Sequence, residues 1–141
     1  MSPFVHIERR IHASPETLFD AWISPESLAV FLCPAPGVRT VDIQVDARVG
    51  GAFSLVMLAG ESRIPVRGEY LAVDRPHRLE FTWLSARTTG VSTVVLRFEP
   101  DGSDTILTLE HRGFLDEASR SDHDGGWKHI LDCQQVLLAS S

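Results

Sequence analysis

In the middle of this chain the apolar residues recur at every second position, while near both ends they recur every third or fourth. A period of two sends alternate side chains to opposite faces of a strand; a period near 3.6 gathers them on one face of a helix. The chain is therefore predicted to build a sheet from its middle and to cover one face of it with helices from its ends, an α+β arrangement.

The alternation is explicit. Val41, Ile43 and Val45 alternate with Asp42, Gln44 and Asp46, and Phe53, Leu55 and Met57 do the same after a Gly50-Gly51 turn. Further strands are read at Ile64 to Val73, Arg78 to Ser85, Thr93 to Glu99 and Thr105 to His111, with Asp74-Arg75-Pro76 and Asp101-Gly102 as turn chemistry between them. Connections this short imply antiparallel hairpins. An additional strand precedes them from Phe4 to Ile11, where Val5, Ile7 and Ile11 share a phase that Arg9 interrupts.

Helix signals flank these runs. Ser14-Pro15-Glu16 and Ser24-Pro25-Glu26 each place a capping hydroxyl, a proline suited to the first helical position and an acid where the helix dipole favours negative charge. Two short helices are predicted, the first carrying Leu18, Phe19 and Trp22, the second Leu28 and Phe31. Cys33-Pro34-Ala35-Pro36-Gly37 must end the second. From about Ser121 to Leu138, His123, Trp127, Ile130, Leu131, Gln134 and Leu138 fall on one face of a long helix. The expected fold is a curved antiparallel sheet of about six strands wrapped around a long C-terminal helix, with two short helices after the first strand.

At 141 residues, 43% hydrophobic and 23% charged, the chain is expected to form one domain spanning 1–141. A net charge of −6 without a basic cluster argues against nucleic acid. The longest apolar stretches, such as Ala52 to Ala59, fall far short of the ~20 residues that span a bilayer, and Met1-Ser2-Pro3-Phe4 lacks the pattern of a secretory leader. A cytoplasmic protein is expected.

Several segments together resemble a known family: Ala13-Ser14-Pro15-Glu16 with Leu18-Phe19-Asp20-Ala21-Trp22, Arg48-Val49-Gly50-Gly51-Ala52-Phe53, Gly68-Glu69-Tyr70, Arg78-Leu79-Glu80-Phe81-Thr82-Trp83, Thr105 to His111 and His123-Asp124-Gly125-Gly126-Trp127. In order and spacing they are similar to the START-like (SRPBCC) proteins related to the C-terminal domain of the heat-shock-protein-90 ATPase activator. The resemblance implies a helix-grip fold, in which sheet and C-terminal helix enclose an apolar cavity. It also implies a choice of roles, because such families include a co-chaperone domain, lipid binders and cyclase-like enzymes on one scaffold. Phe31-Leu32 stands where an aromatic pair usually closes the second helix, and Gln134 and Gln135 where leucines usually end the last. The eukaryotic activator carries a separate N-terminal domain, whereas here the first strand of the domain begins just after Met1, so the co-chaperone role is expected to rank lower.

Within that frame, Phe53, Leu55, Met57, Phe81 and Trp83 are candidates to line the cavity or simply to fill the core. Tyr70, in phase with Val66 and Gly68, is a polar lining candidate. His111, continuing the phase of Leu107 and Leu109, is expected at the cavity mouth or in water. On the last helix His123, Trp127, Leu131 and Gln134 share the inward stripe. His123 is either a ligand contact or a helix-start packing residue, and Gln134 either holds a ligand's polar end or reaches solvent.

Glu80 and Glu110 lie on the opposite phases of their strands, so no paired-carboxylate site is expected. His6, His12, His77 and His129 share no ligand spacing, and Cys33 and Cys133 stand 100 positions apart, so neither a metal, a redox pair nor a cofactor is predicted; reduced, buried thiols are expected, with a disulfide left open by the sequence. Gly50-Gly51 matches no nucleotide-binding pattern, and no G-x-S-x-G marks a nucleophile.

Three roles follow. The first is binding of a small hydrophobic or amphipathic molecule between sheet and last helix. The second is a cyclase- or hydrolase-like enzyme using His123, Tyr70 or His111, which requires that at least two of them reach one ligand atom. The third is an interaction protein, a chaperone partner or a homodimer, using a sheet face that exposes Leu71 and Val73.

Overall fold

The computed structural model describes residues 4–85 and 90–139, with only the backbone of Ala139 described. The leader reading at Met1 to Pro3 lies outside these residues. The elements run β1 (Phe4–Ile11), α1 (Pro15–Trp22), α2 (Pro25–Phe31), β2 (Arg39–Val45), β3 (Ala52–Ala59), β4 (Ser62–Asp74), β5 (Arg78–Ser85), β6 (Ser92–Asp101), β7 (Asp104–Arg112) and α3 (Glu117–Ala139).

The strands form one antiparallel sheet in the order β1-β7-β6-β5-β4-β3-β2. Seven strands are described, against about six expected: β2 to β7 form a six-stranded meander, and β1 adds to its far edge by pairing with β7. The three helices pack on one face, α3 against β1 and α2, and α1 against β6 and β7. This is the helix-grip arrangement.

Local chemistry sets the helix ends. Ser14 accepts from the backbone N–H of Thr17 at 3.2 Å and Ser24 from that of Ser27 at 3.3 Å, each with proline in the first turn. The last helix begins four residues before the predicted Ser121, because the Asp116 carboxylate accepts from the N–H of Ser119 at 2.7 Å and caps an earlier turn. Arg9, the break in the first strand's apolar phase, reaches across to α3, donating to Asp132 and to Gln135 Oε1.

Two bulges flip strand phases. Between Val41 and Gln44 the register shifts, with Asp42 at φ +53°; Thr40 therefore faces inward, and Val41 pairs with Val56 on the outer face instead of joining Ile43 and Val45. A second shift between Tyr70 and Ala72 turns Val73 inward opposite the buried Leu79, leaving Leu71 exposed. The sticky outer face expected from Leu71 and Val73 is thereby reduced to Leu71. Gly68 faces inward where a Cβ would lie 1.9 Å from the Thr82 carbonyl oxygen and 2.5 Å from the Phe53 ring, so only glycine lets these strands and that ring meet.

Candidate functional site

Between the first half of α3, the segment after α2 and the inner faces of β3 to β5 lies a partly open cleft of about 400 Å³. That volume is in the range of small-molecule sites. Met57, Ile64, Val66 and Trp83 form its sheet wall, Trp127 and Ile130 its helix wall, and Pro34, Ala35 and Val38 a third side. Polar groups are few and gathered at one end, where Ser85, Ser121, Asp122 and His123 stand. Gly125 and Gly126 present bare backbone there. At Gly126 a Cβ would come within 3.3 Å of Pro34 Cβ, so its missing side chain allows the segment after α2 to lie close on the helix.

Deeper in, Trp22, Phe53, Leu55, Tyr70 and Phe81 surround a second space of about 20 Å³, room for about one water. Trp83 and Trp127 border both spaces. Their rings, 5.1 Å apart between centroids, form the partition. The indole N–H groups of Trp22 and Trp83 are buried and have no acceptor within the described protein. A buried donor left so costs about 1–3 kcal/mol.

The candidates thus separate. Met57, Trp83, His123 and Trp127 line the cleft; Phe53, Leu55, Tyr70 and Phe81 line the inner space; Leu131 is buried in the core and borders neither. Gln134 faces away, into a shallow groove with α1 and α2, and it does not reach solvent: both polar atoms of its amide are buried without a partner. His111 is at neither the mouth nor the surface, being fully buried.

A directed hydrogen-bond chain holds His111. Trp127 can only donate, so its Nε1–H fixes His111 Nδ1 as the acceptor, at 2.9 Å. The proton then sits on Nε2, which donates to Ser92 Oγ at 2.7 Å, and the Ser92 hydroxyl donates onward to the Trp83 carbonyl at 2.9 Å. Burial first, then the proximity of His123, push the His111 pKa down to about 3. Neutral and with both nitrogens occupied, His111 is a structural tie between β7, β6 and α3.

His123 packs edge-on to His111 with centroids 5.2 Å apart and donates Nδ1–H to the Ser119 carbonyl at 2.8 Å. Its Nε2 is left as the ring's acceptor beside the cleft. Tyr70 is held protonated by burial and then by Asp46, its pKa pushed well above the ordinary value. His111, His123 and Tyr70 do not border one common space, which is what the enzyme reading required.

Residues missed in the sequence are those whose placement depends on the turn of the chain, above all Pro34, Ala35 and Val38. The cysteines are a larger departure. Cys33 and Cys133, expected as reduced, buried thiols, are half-buried and meet with their sulfurs 3.0 Å apart, and His129 stands one helical turn before Cys133 with its Nδ1 3.7 Å from that sulfur. The i, i+4 spacing of His129 and Cys133 was the one available signal.

The curved sheet, the helix it grips and the apolar cleft between them define a START-like protein. More closely, the model of the activator of Hsp90 ATPase homolog 1-like proteins matches residues 12–138, and the chain belongs to that family. Among solved structures, a protein from Chromobacterium violaceum is 25% identical, with a TM-score of 0.88 over 96% of this chain and 97% of that one. The AHSA1 protein from Silicibacter pomeroyi is 29% identical, with a TM-score of 0.82 over 96% and 97%. A Nitrosomonas europaea protein, 24% identical, has a TM-score of 0.81 over 98% and 95%. No curated protein matches the sequence.

Proposed function

We propose that this protein binds a small, largely apolar molecule carrying a polar end, held in the cleft between the sheet and α3. The observation that carries this reading is the cleft itself: about 400 Å³, walled by apolar side chains from three elements, with its polar groups confined to one end. Apolar walls supply non-directional attraction of about 25 cal/mol per Å² buried, and the few polar groups orient the ligand. At the polar end His123 Nε2 offers an acceptor beside the cleft. A ligand with an apolar body and a hydroxyl group, which can donate to that nitrogen, suits it.

Against catalysis stands the neutral, fully engaged His111 and the separation of Tyr70 from the cleft. A cytoplasmic setting fits this reading; among the described residues no helix is long and apolar enough to cross a membrane.

The test is native mass spectrometry of protein purified from its own host, compared with a denatured sample, together with titration of the apolar fluorophore 1-anilinonaphthalene-8-sulfonate. A co-purifying molecule that competes with the fluorophore supports the reading. A protein that retains nothing and leaves the fluorophore unbound overturns it.

A further inference from the structure

The contact between Cys33 and Cys133 is made by the fold alone. Cys33 lies just past α2 and Cys133 in the fifth turn of α3, 100 positions away, yet the two sulfurs stand 3.0 Å apart. Both residues are half-buried, so the pair is neither sealed in the core nor loose on the surface. The backbone there is held independently of the thiols: His129 Nδ1 lies 2.7 Å from the Cys33 carbonyl oxygen, and since a carbonyl only accepts, Nδ1 carries the proton. Pro34 and Ala35, the next residues, form one side of the cleft.

We propose that Cys33 and Cys133 are a reversible thiol–disulfide pair which, when oxidised, staples the segment after α2 to α3 at the rim of the cleft. The pairing itself does not depend on what the cleft binds. The oxidant is a peroxide. One thiolate attacks a peroxide oxygen, the O–O bond breaks and a sulfenic acid forms; the second sulfur displaces the sulfenic oxygen as water, forming the S–S bond. Two thiols and one hydrogen peroxide give one disulfide and two waters, the two electrons passing from sulfur to oxygen. A thiol reductant reverses it, taking the disulfide sulfurs back to two thiols and itself ending as a disulfide.

A metal is the competing use of the same residues, because the ligand atoms of Cys33, His129 and Cys133 lie within 4.8 Å of one another. Two features favour the disulfide. The imidazole nitrogen near Cys133 is committed as a donor to the Cys33 carbonyl and has no lone pair to give. Sulfurs sharing one tetrahedral zinc at about 2.3 Å each stand about 3.8 Å apart, farther than these two do.

The experiment uses the full chain, reduced, freed of reductant and exposed to a small excess of hydrogen peroxide, with free thiols counted and the intact mass measured. The expected result is simultaneous loss of both thiols with a mass lower by two hydrogens, full recovery with dithiothreitol, and a melting temperature raised by roughly 10 °C in the oxidised form. Cys33→Ser and Cys133→Ser should each retain a single thiol that oxidises only to oxygen adducts or intermolecular dimers. Two thiols that survive peroxide, or that each take up oxygen separately, would overturn the pairing. So would stoichiometric retention of added zinc that protects both thiols, which would assign the cluster to a metal.

Discussion

Trp127 Nε1 and His111 Nδ1 are joined by a 2.9 Å hydrogen bond that runs from α3 to the C-terminal end of β7, and the direction of that bond decides the tautomer of the histidine. The same indole forms part of the cleft wall. Packing of the helix on the sheet and the shape of the site are therefore coupled through one residue.

Replacing that donor should expose the coupling. Trp127→Phe keeps an aromatic ring but leaves His111 Nδ1 buried without a donor, at a cost of about 1–3 kcal/mol. Urea unfolding is expected to show a lower midpoint with an unchanged slope, and fluorophore affinity should fall with it. A variant as stable as the parent would show that the bond contributes nothing net.

His111 also sets an acid limit. Its folded pKa is depressed to about 3, against an ordinary value of 6.5, so below about pH 6.5 the unfolded chain takes up a proton that the folded chain refuses. Stability from this group is full above pH 6.5 and declines as pH falls toward 3, by up to about 1.4 kcal/mol per unit. Asp20, Asp104, Glu110 and Glu117, with pKa values lowered by their arginine or histidine partners, add losses of the same sign only within and below the ordinary carboxylate range. Between pH 6.5 and 5 the slope should therefore belong largely to His111 and disappear in His111→Gln. Equal slopes in the two proteins would contradict the assignment.

Particular residues show what could be read from the sequence. The Ser-Pro-Glu pairs placed both short helices, since a cap depends only on neighbours in the chain. The inward phase of Leu107, Leu109 and His111 was equally local; that His111 would be buried between Ser92 and Trp127 was not, because those partners come from another strand and a helix. The bulges at Asp42 and Leu71 escaped because a single extra residue leaves the composition of a strand unchanged while reversing its faces. The meeting of Cys33 and Cys133 has no local signature beyond the helical spacing of His129 and Cys133.

Gln134 offers a stabilising change. Its amide is buried with neither polar atom partnered, between α3 and the short helices, where a leucine of similar volume would bury only carbon. Gln134→Leu is expected to raise stability by about 1–3 kcal/mol in urea unfolding. Because the residue faces away from the cleft, fluorophore affinity should stay unchanged. A loss of affinity would place Gln134 in the site after all.

Gly125 separates stability from binding in the opposite sense. It lies in α3 at the polar end of the cleft, and a Cβ there meets nothing within 4 Å. Gly125→Leu gives the helix a residue with better intrinsic propensity, worth about 0.5–1 kcal/mol, while its side chain occupies the cleft mouth. The expected pair of results is a higher melting temperature and at least tenfold weaker binding of the fluorophore or of the co-purified molecule. Higher stability with undiminished binding would mean that the ligand enters elsewhere. The proposed site would then be wrong.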